Sequence, residues 1–240
     1  MTSPPVADQR AALQVVTAAA LSDLASEWAS LDLADALSTK AALQALLPAL
    51  ADEYGAAASQ LAADVYEALR DAAGITSDYE PQLAGLTDRM VSRAKWSADP
   101  LFDREAPQPD VALVRAQESV QLAVADQYRG TIMDTAVDDP DARGWQRAVR
   151  AGSSKSGPCP FCELLASRGP VYTRKTVDFG AHGLCHCIAV PAWGGVELPV
   201  KPFEPTGNST PQQRAKVYAY MRRHGLLDGE PRRPNTPRRS

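Results

Sequence analysis

The chain has 240 residues, enough for one or two domains with a buried core. Its 45% hydrophobic and 22% charged residues describe a soluble globular protein, and no stretch nears the ~20 apolar residues that span a bilayer, so no membrane partner is expected. The net charge of −4 is unevenly spread: residues 208–240 hold eight Lys/Arg against two acids, or +6, which leaves −10 for residues 1–207. The stretch from Met1 to Asp8 lacks the basic start and apolar run of a secretory signal, so export is not expected.

The first half reads as helix. Alanine is abundant and loses no rotamer entropy on ordering. Leu13, Val16, Ala20, Leu24 and Trp28 recur at three- and four-residue steps and form one apolar stripe. A second stripe runs through Leu47, Leu50, Tyr54, Ala58, Leu61, Val65 and Leu69. Pro48 is expected to kink this helix or mark its start, because proline is tolerated only in a first turn. Gly74 suits the left-handed position just past its end. Asp78 is expected to cap a third helix carrying Leu83, Leu86 and Met90.

Three prolines within residues 99–109 mark a break. A long helix then starts at Asp110, with Leu113, Ala116, Val120, Val124 and Ile132 facing inward and Gln117, Glu118, Asp126 and Arg129 outward. Asp138-Asp139-Pro140-Asp141 is expected to end it and to cap a short helix from Ala142 to Arg150 that includes Trp145. Capping accounts for this acidic cluster better than a divalent ion does.

After Gly152 the texture changes. A Ser/Gly loop leads to Cys159-Pro-Phe-Cys162 and a short helix from Glu163 to Ser167. Arg168-Gly169-Pro170 turns the chain into a strand, Val171-Tyr172-Thr173. His182-Gly-Leu-Cys185-His186-Cys187 follows, and Cys187 to Val190 reads as a second strand stopped by Pro191. Residues 191–211 read as an extended Pro/Gly-rich arm, followed by a helix around 212–227 and a Pro/Arg tail. The predicted fold is mostly α: a helical bundle or arm, a small α+β zinc-binding module, and an extended basic tail. Its units are a helical region at 1–104, a long helix with a short connecting helix at 110–152, the zinc-knuckle module at 153–192, and the arm, helix and tail at 193–240.

The cysteine spacing carries the chemistry. All four cysteines and two of the three histidines fall between Cys159 and Cys187. A Cys-x₂-Cys pair sets two thiolates on one turn, where both reach a single tetrahedral ion with Zn–S distances of about 2.3 Å. Cys159 and Cys162 belong to every version of this site. Two of His182, Cys185 and Cys187 complete it, giving Cys₄ or Cys₃His, with His182 the less secure member. Strand alternation turns His186 away from both neighbouring cysteines. Two disulfides, or a Cys–His hydrolase, are the competing readings. Disulfides belong to oxidising compartments, and paired ligand spacing does not suit a lone nucleophile, so structural zinc is the expected cofactor and no catalytic residue is assigned. Arg232, Arg233, Arg238 and Arg239 in the tail are candidates for contact with nucleic acid, because proline blocks helix there and leaves a flexible cationic strand.

The ordered series Trp145-x-Arg147, Cys159-x₂-Cys162, Arg168-Gly169, Tyr172, His182-x₂-Cys185-x-Cys187 and Pro191 resembles the C-terminal module of MuF-like phage minor head proteins, a phage head morphogenesis family, in its actinobacteriophage form. The likeness covers about residues 145–193. It implies a component of the virion, present in several copies at the portal vertex or capsid interior after assembly in the host cytoplasm. The implied partners are the portal protein or major capsid protein, with packaged DNA held by the basic tail. The implied role is in head assembly and DNA packaging or ejection, not catalysis. The competing functions are a zinc-containing nucleic-acid-binding protein and a zinc-dependent nuclease. The acidic body opposes the first, and the absence of a paired acidic set near the second cysteine cluster opposes the second.

Overall fold

The computed structural model describes residues 4–85, 89–149, 160–173, 179 and 187–193. In chain order these form α1 (Pro4–Ala29), α2 (Ala36–Ala72), α3 (Arg89–Ala98) running into a 3₁₀ turn (Asp99–Phe102), α4 (Pro109–Asp138), β1 (Trp145–Ala148), α5 (Pro160–Ala166) and β2 (Ile188–Pro191). The fold is mostly α. Its strands make one antiparallel ribbon, with Trp145 opposite Pro191 and Ala148 opposite Ile188.

The stripe of α1 lies where its period placed it, with Leu13, Ala20, Leu24 and Trp28 buried. The second helix departs from expectation at its start. It begins twelve residues before Pro48, where Asp35 Oδ1 accepts the backbone N–H groups of Leu37 and Ser38 at 3.1 and 3.0 Å. The chain runs helically through Pro48, which removes one hydrogen bond to the turn before it. Burial of Leu43, Leu47 and Leu50 around that turn outweighs the loss. At the far end Gly74 has φ +74°, Ile75 N–H reaches Arg70 O at 3.1 Å and Gly74 N–H reaches Asp71 O at 3.0 Å, the paired bonds of a Schellman motif.

Asp78 caps no helix. Residues 75–85 run extended along α4, and the next helix begins at Arg89. Pro81 disfavours helical dihedrals at Glu80. Two buried threonines on α4 then supply what the segment's backbone needs. Thr135 Oγ1 accepts from Gln82 N–H and Thr131 Oγ1 from Ala84 N–H, both at 3.0 Å, while Ser59 Oγ donates to Ala84 O at 2.8 Å.

Helices α2 and α4 run parallel, since Ala51 lies beside Gln127 and Tyr66 beside Asp139. Residues 75–85 and 89–102 return along them, and Ser97 Oγ lies 3.2 Å from Ser119 Oγ. Helices α1 and α3 each pack against both. The core is one continuous cluster running from Leu13 on α1 to Val190 on β2. Arg10 Nη2, which donates to Val149 O at 2.8 Å, ties the first helix to the end of β1.

Trp145 sits in a strand, correcting the short helix expected from Ala142 to Arg150. Its N–H donates to Tyr172 O at 2.9 Å and its carbonyl accepts from Tyr172 N–H at 3.2 Å, so β1 has pairing partners on both edges. Gly144 makes the entry possible at φ +112°, where a Cβ would stand 2.1 Å from Tyr172 O.

The aspartates after α4 serve the fold rather than a second helix. Asp139 is buried, and its Oδ2 lies 2.9 Å from both Arg70 Nε and Tyr66 OH. Its Oδ1 accepts the N–H of Asp141 at 2.9 Å. Arg70 also reaches Asp141 Oδ2 at 3.2 Å and donates to Ser77 O at 2.8 Å and Ser77 Oγ at 2.7 Å. Burial, helped by the bond to Asp139, pushes the Tyr66 phenol far above its ordinary range. The node joins the ends of α2 and α4 to the return segment. Arg70→Met strips the buried Asp139 carboxylate of its cation, and such losses cost about 3–5 kcal/mol. Urea denaturation should show a loss of that size, with Asp139→Asn milder because the amide keeps hydrogen-bonding capacity.

Candidate metal centre

Cys162 stands in the first turn of α5, and Cys187 immediately precedes β2; both are buried. Pro160 opens α5 at a position where its missing N–H costs nothing. The helix is held to the sheet by Tyr172 OH, which donates to Leu165 O at 2.8 Å. Burial raises the Tyr172 pKa, so this donor stays protonated. Gly169, at φ +72°, turns the chain from α5 back to Tyr172. Cys187 follows on from the Ala148–Ile188 pair, which puts it at the same end of the ribbon as Val149.

An aromatic stack backs this region. Tyr172 and Trp145 lie 4.5 Å apart at 20°, and Trp145 and Phe179 lie 5.5 Å apart at 22°. Two guanidinium groups meet the ring of Phe179: Arg147 Cζ is 3.7 Å from its centroid and Arg129 Cζ is 4.8 Å away. Each serves one cysteine. Arg147 Nη1 donates to Cys162 Sγ at 3.5 Å, and Arg129 Nε donates to the Cys187 carbonyl at 2.9 Å. Arg129 Nη1 also pairs with Asp126 Oδ1 at 2.8 Å. Helix α5, which holds Cys162, and β2, which follows Cys187, both pack on β1.

Of the expected ligands, the structure thus places Cys162 and Cys187. Cys159, His182 and Cys185 lie outside the described residues, as do Arg232, Arg233, Arg238 and Arg239 of the tail. Among the described residues no group of three or more His, Cys, Asp or Glu side chains converges on one point.

Arg129 corrects the sequence reading, which put it on the outer face of its helix; it is 1% exposed. Between Val124 and Met133 the helix is covered almost all round, with Asp126 its one exposed residue, so the stripe has no outer side there. Nothing in the helical period marks Arg129 as functional. Arg147 did have a signal, its place in the Trp-x-Arg pair, and a strand reading of that segment turns Trp145 and Arg147 to one face.

The family model of the VG15 protein matches residues 1–210. No curated protein matches the chain, and no solved structure matches it. Among the described residues no helix is long and apolar enough to cross a membrane. The match takes in the whole helical body and both cysteine clusters, and the chain belongs to the VG15 protein family, a family of viral gene proteins, consistent with a phage protein.

Proposed function

We propose that this chain is a structural minor head protein of a tailed phage, of the MuF-like kind, docked at the portal vertex or capsid interior and acting in head assembly and DNA packaging or ejection. The observation that carries the reading is the coincidence of viral family membership with the ordered series of Trp145, Arg147, the Cys159 pair and the His182–Cys187 cluster. The role is architectural rather than catalytic, and several copies reside in the virion after assembly in the host cytoplasm.

A structural zinc ion suits the residues present. Cys162 and Cys187 are buried, α5 and β2 both pack on β1, and the Arg147 guanidinium stands at the Cys162 sulfur, where it would offset thiolate charge. Cys159 with Cys185 or His182 would complete the set. Zinc bound there would cross-link α5 to the ribbon and add an apparent ~10–16 kcal/mol to folding of the module. Native mass spectrometry should therefore find one zinc per chain, lost in Cys159→Ser and Cys162→Ser while the far-UV signal of α1–α4 persists. Zinc kept after His182→Ala but lost after Cys185→Ala and Cys187→Ala selects the Cys₄ site. Metal-free wild-type protein refutes zinc altogether.

The docking face is the end of the bundle where α2 and α4 begin. Leu37, Trp96, Phe102, Val111 and Val114 are exposed there. Arg115 Cζ lies 4.7 Å from the Trp96 ring and Lys40 Nζ lies 5.3 Å from that of Phe102, giving an apolar face rimmed by cations. Helix α3 adds Arg89, Arg93 and Lys95 with no acid, whereas residues 11–69 hold eight acids and one base. Such a face fits an acidic, partly apolar surface on the portal or shell protein. Trp96→Asp should leave the helical signal intact yet cut incorporation into heads at least tenfold, as loss of a buried aromatic anchor does. Normal incorporation removes this face from the interface.

The tail is assigned to packaged DNA. Arg232, Arg233, Arg238 and Arg239 alternate with prolines, and a cationic strand of that kind binds phosphates without reading sequence. Deleting residues 229–240 should weaken low-salt DNA binding by the purified protein and flatten its salt dependence, with incorporation into heads unchanged. Failure of the truncated chain to enter heads would make the tail a protein-docking element instead.

A further inference from the structure

Arg147 is 3% exposed and has no carboxylate partner among the described residues. Its Nε has no hydrogen-bond partner there either, and its Nη1 donates to Cys162 Sγ at 3.5 Å. A guanidinium withdrawn from water is strongly unfavourable unless an opposite charge meets it. The ring face of Phe179, 3.7 Å away, supplies part of that charge, but a ring quadrupole is a weak substitute for an anion. Of the other buried arginines, Arg70 has Asp139 and Asp141, Arg129 has Asp126, and Arg10 donates to the Val149 carbonyl. Arg147 has a sulfur.

Three thiolates on Zn²⁺ leave one net negative charge and four leave two, and a buried centre of that kind needs a counter-charge as much as Arg147 needs an anion. We propose that Arg147 is the outer-sphere counter-charge of the zinc centre, donating to the metal-bound sulfur of Cys162. The inference builds on the zinc reading above. It gives the Trp145-x-Arg147 pair its purpose. Trp145 stacks on Phe179, Phe179 faces the guanidinium, and strand alternation turns Trp145 and Arg147 to the same side. Arg147 is a positioning residue rather than a ligand. Its planar fork lies against the ring and still aims one N–H at sulfur.

The test uses the full chain, with zinc affinity measured by chelator competition and helical content by circular dichroism. Arg147→Met should retain the helices and bind zinc 10–100-fold more weakly. Arg147→Lys, which keeps the charge and loses the plane, should recover most of that affinity. Arg104→Met, at an exposed position ahead of α4, should change nothing. With Co²⁺ in place of zinc, loss of the N–H···S bond should move the thiolate-to-cobalt band to lower energy in Arg147→Met. Arg147→Gln serves the same two comparisons if the methionine variant is insoluble. Unchanged affinity and an unmoved band in the uncharged variant overturn the proposal. So does a lysine variant as weak as the methionine one, because that result assigns Arg147 to packing on Phe179. Wild-type protein that binds no zinc overturns the zinc reading and this inference with it.

Discussion

Burying a guanidinium is costly unless its charge and its N–H groups are met, and this fold uses three buried arginines, Arg70, Arg129 and Arg147, to join its elements. Arg70 fastens the ends of α2 and α4 and the turn between Arg70 and Ser77. Arg129 reaches from the middle of α4 to the backbone of Cys187. Arg147 links β1 to α5 through Cys162. Each therefore joins elements distant in sequence. Removing any one leaves an uncompensated polar group inside the core, not merely a missing contact.

The parallel course of α2 and α4 follows from what lies between them. A parallel pair needs a return connection, and residues 75–85 belong to it as non-helical chain laid along α4. Extended backbone laid on a helix normally leaves N–H groups with no acceptor. Thr131 and Thr135 solve this because residues four apart share a helix face, while Gln82 and Ala84, two apart, turn their N–H groups the same way. One side of the segment is thereby satisfied by side chains of α4.

Helical periodicity and the caps made much of this fold legible. Leu13, Ala20, Leu24 and Trp28 stand on one buried face, Gly74 takes the left-handed position, and Ile188 falls in its expected strand, while the short helix opens at Pro160 rather than Glu163 and so takes in Cys162. The departures share a cause. Asp78, Asp139 and Asp141 look like caps because short acidic side chains near a helix end usually are, but distant partners decided otherwise: threonines on α4 for the segment after Asp78, and Arg70 for the other two. Arg129 looked external because an amphipathic stripe presupposes a solvent side, which the covered middle of α4 lacks. Trp145 lies in a segment too short for its period to separate helix from strand. At the candidate site the cysteines announced themselves by spacing. Their guanidinium partners belong to α4 and β1, and only the folded chain brings them together.

That partnership bears on how a metal module would be seated on the helices. Cys187 is fixed to α4 through Arg129, and Val149 is fixed to α1 through Arg10. Ile188, Ala189 and Val190 are buried in the same cluster as Ala116 and Val120. A zinc centre built on Cys162 and Cys187 would thus be seated on the bundle rather than hung from a linker. Force applied at the module would pass into α4, whose first turns lie beside the exposed Trp96 and Phe102. Interdomain joints that move use small polar contacts and open linkers. Here the joint is apolar, is crossed by buried hydrogen bonds, and includes a strand, β2, packed on the central helix. A rigid piece of this kind holds the cysteine-bearing segments at a fixed distance from the first turns of α4.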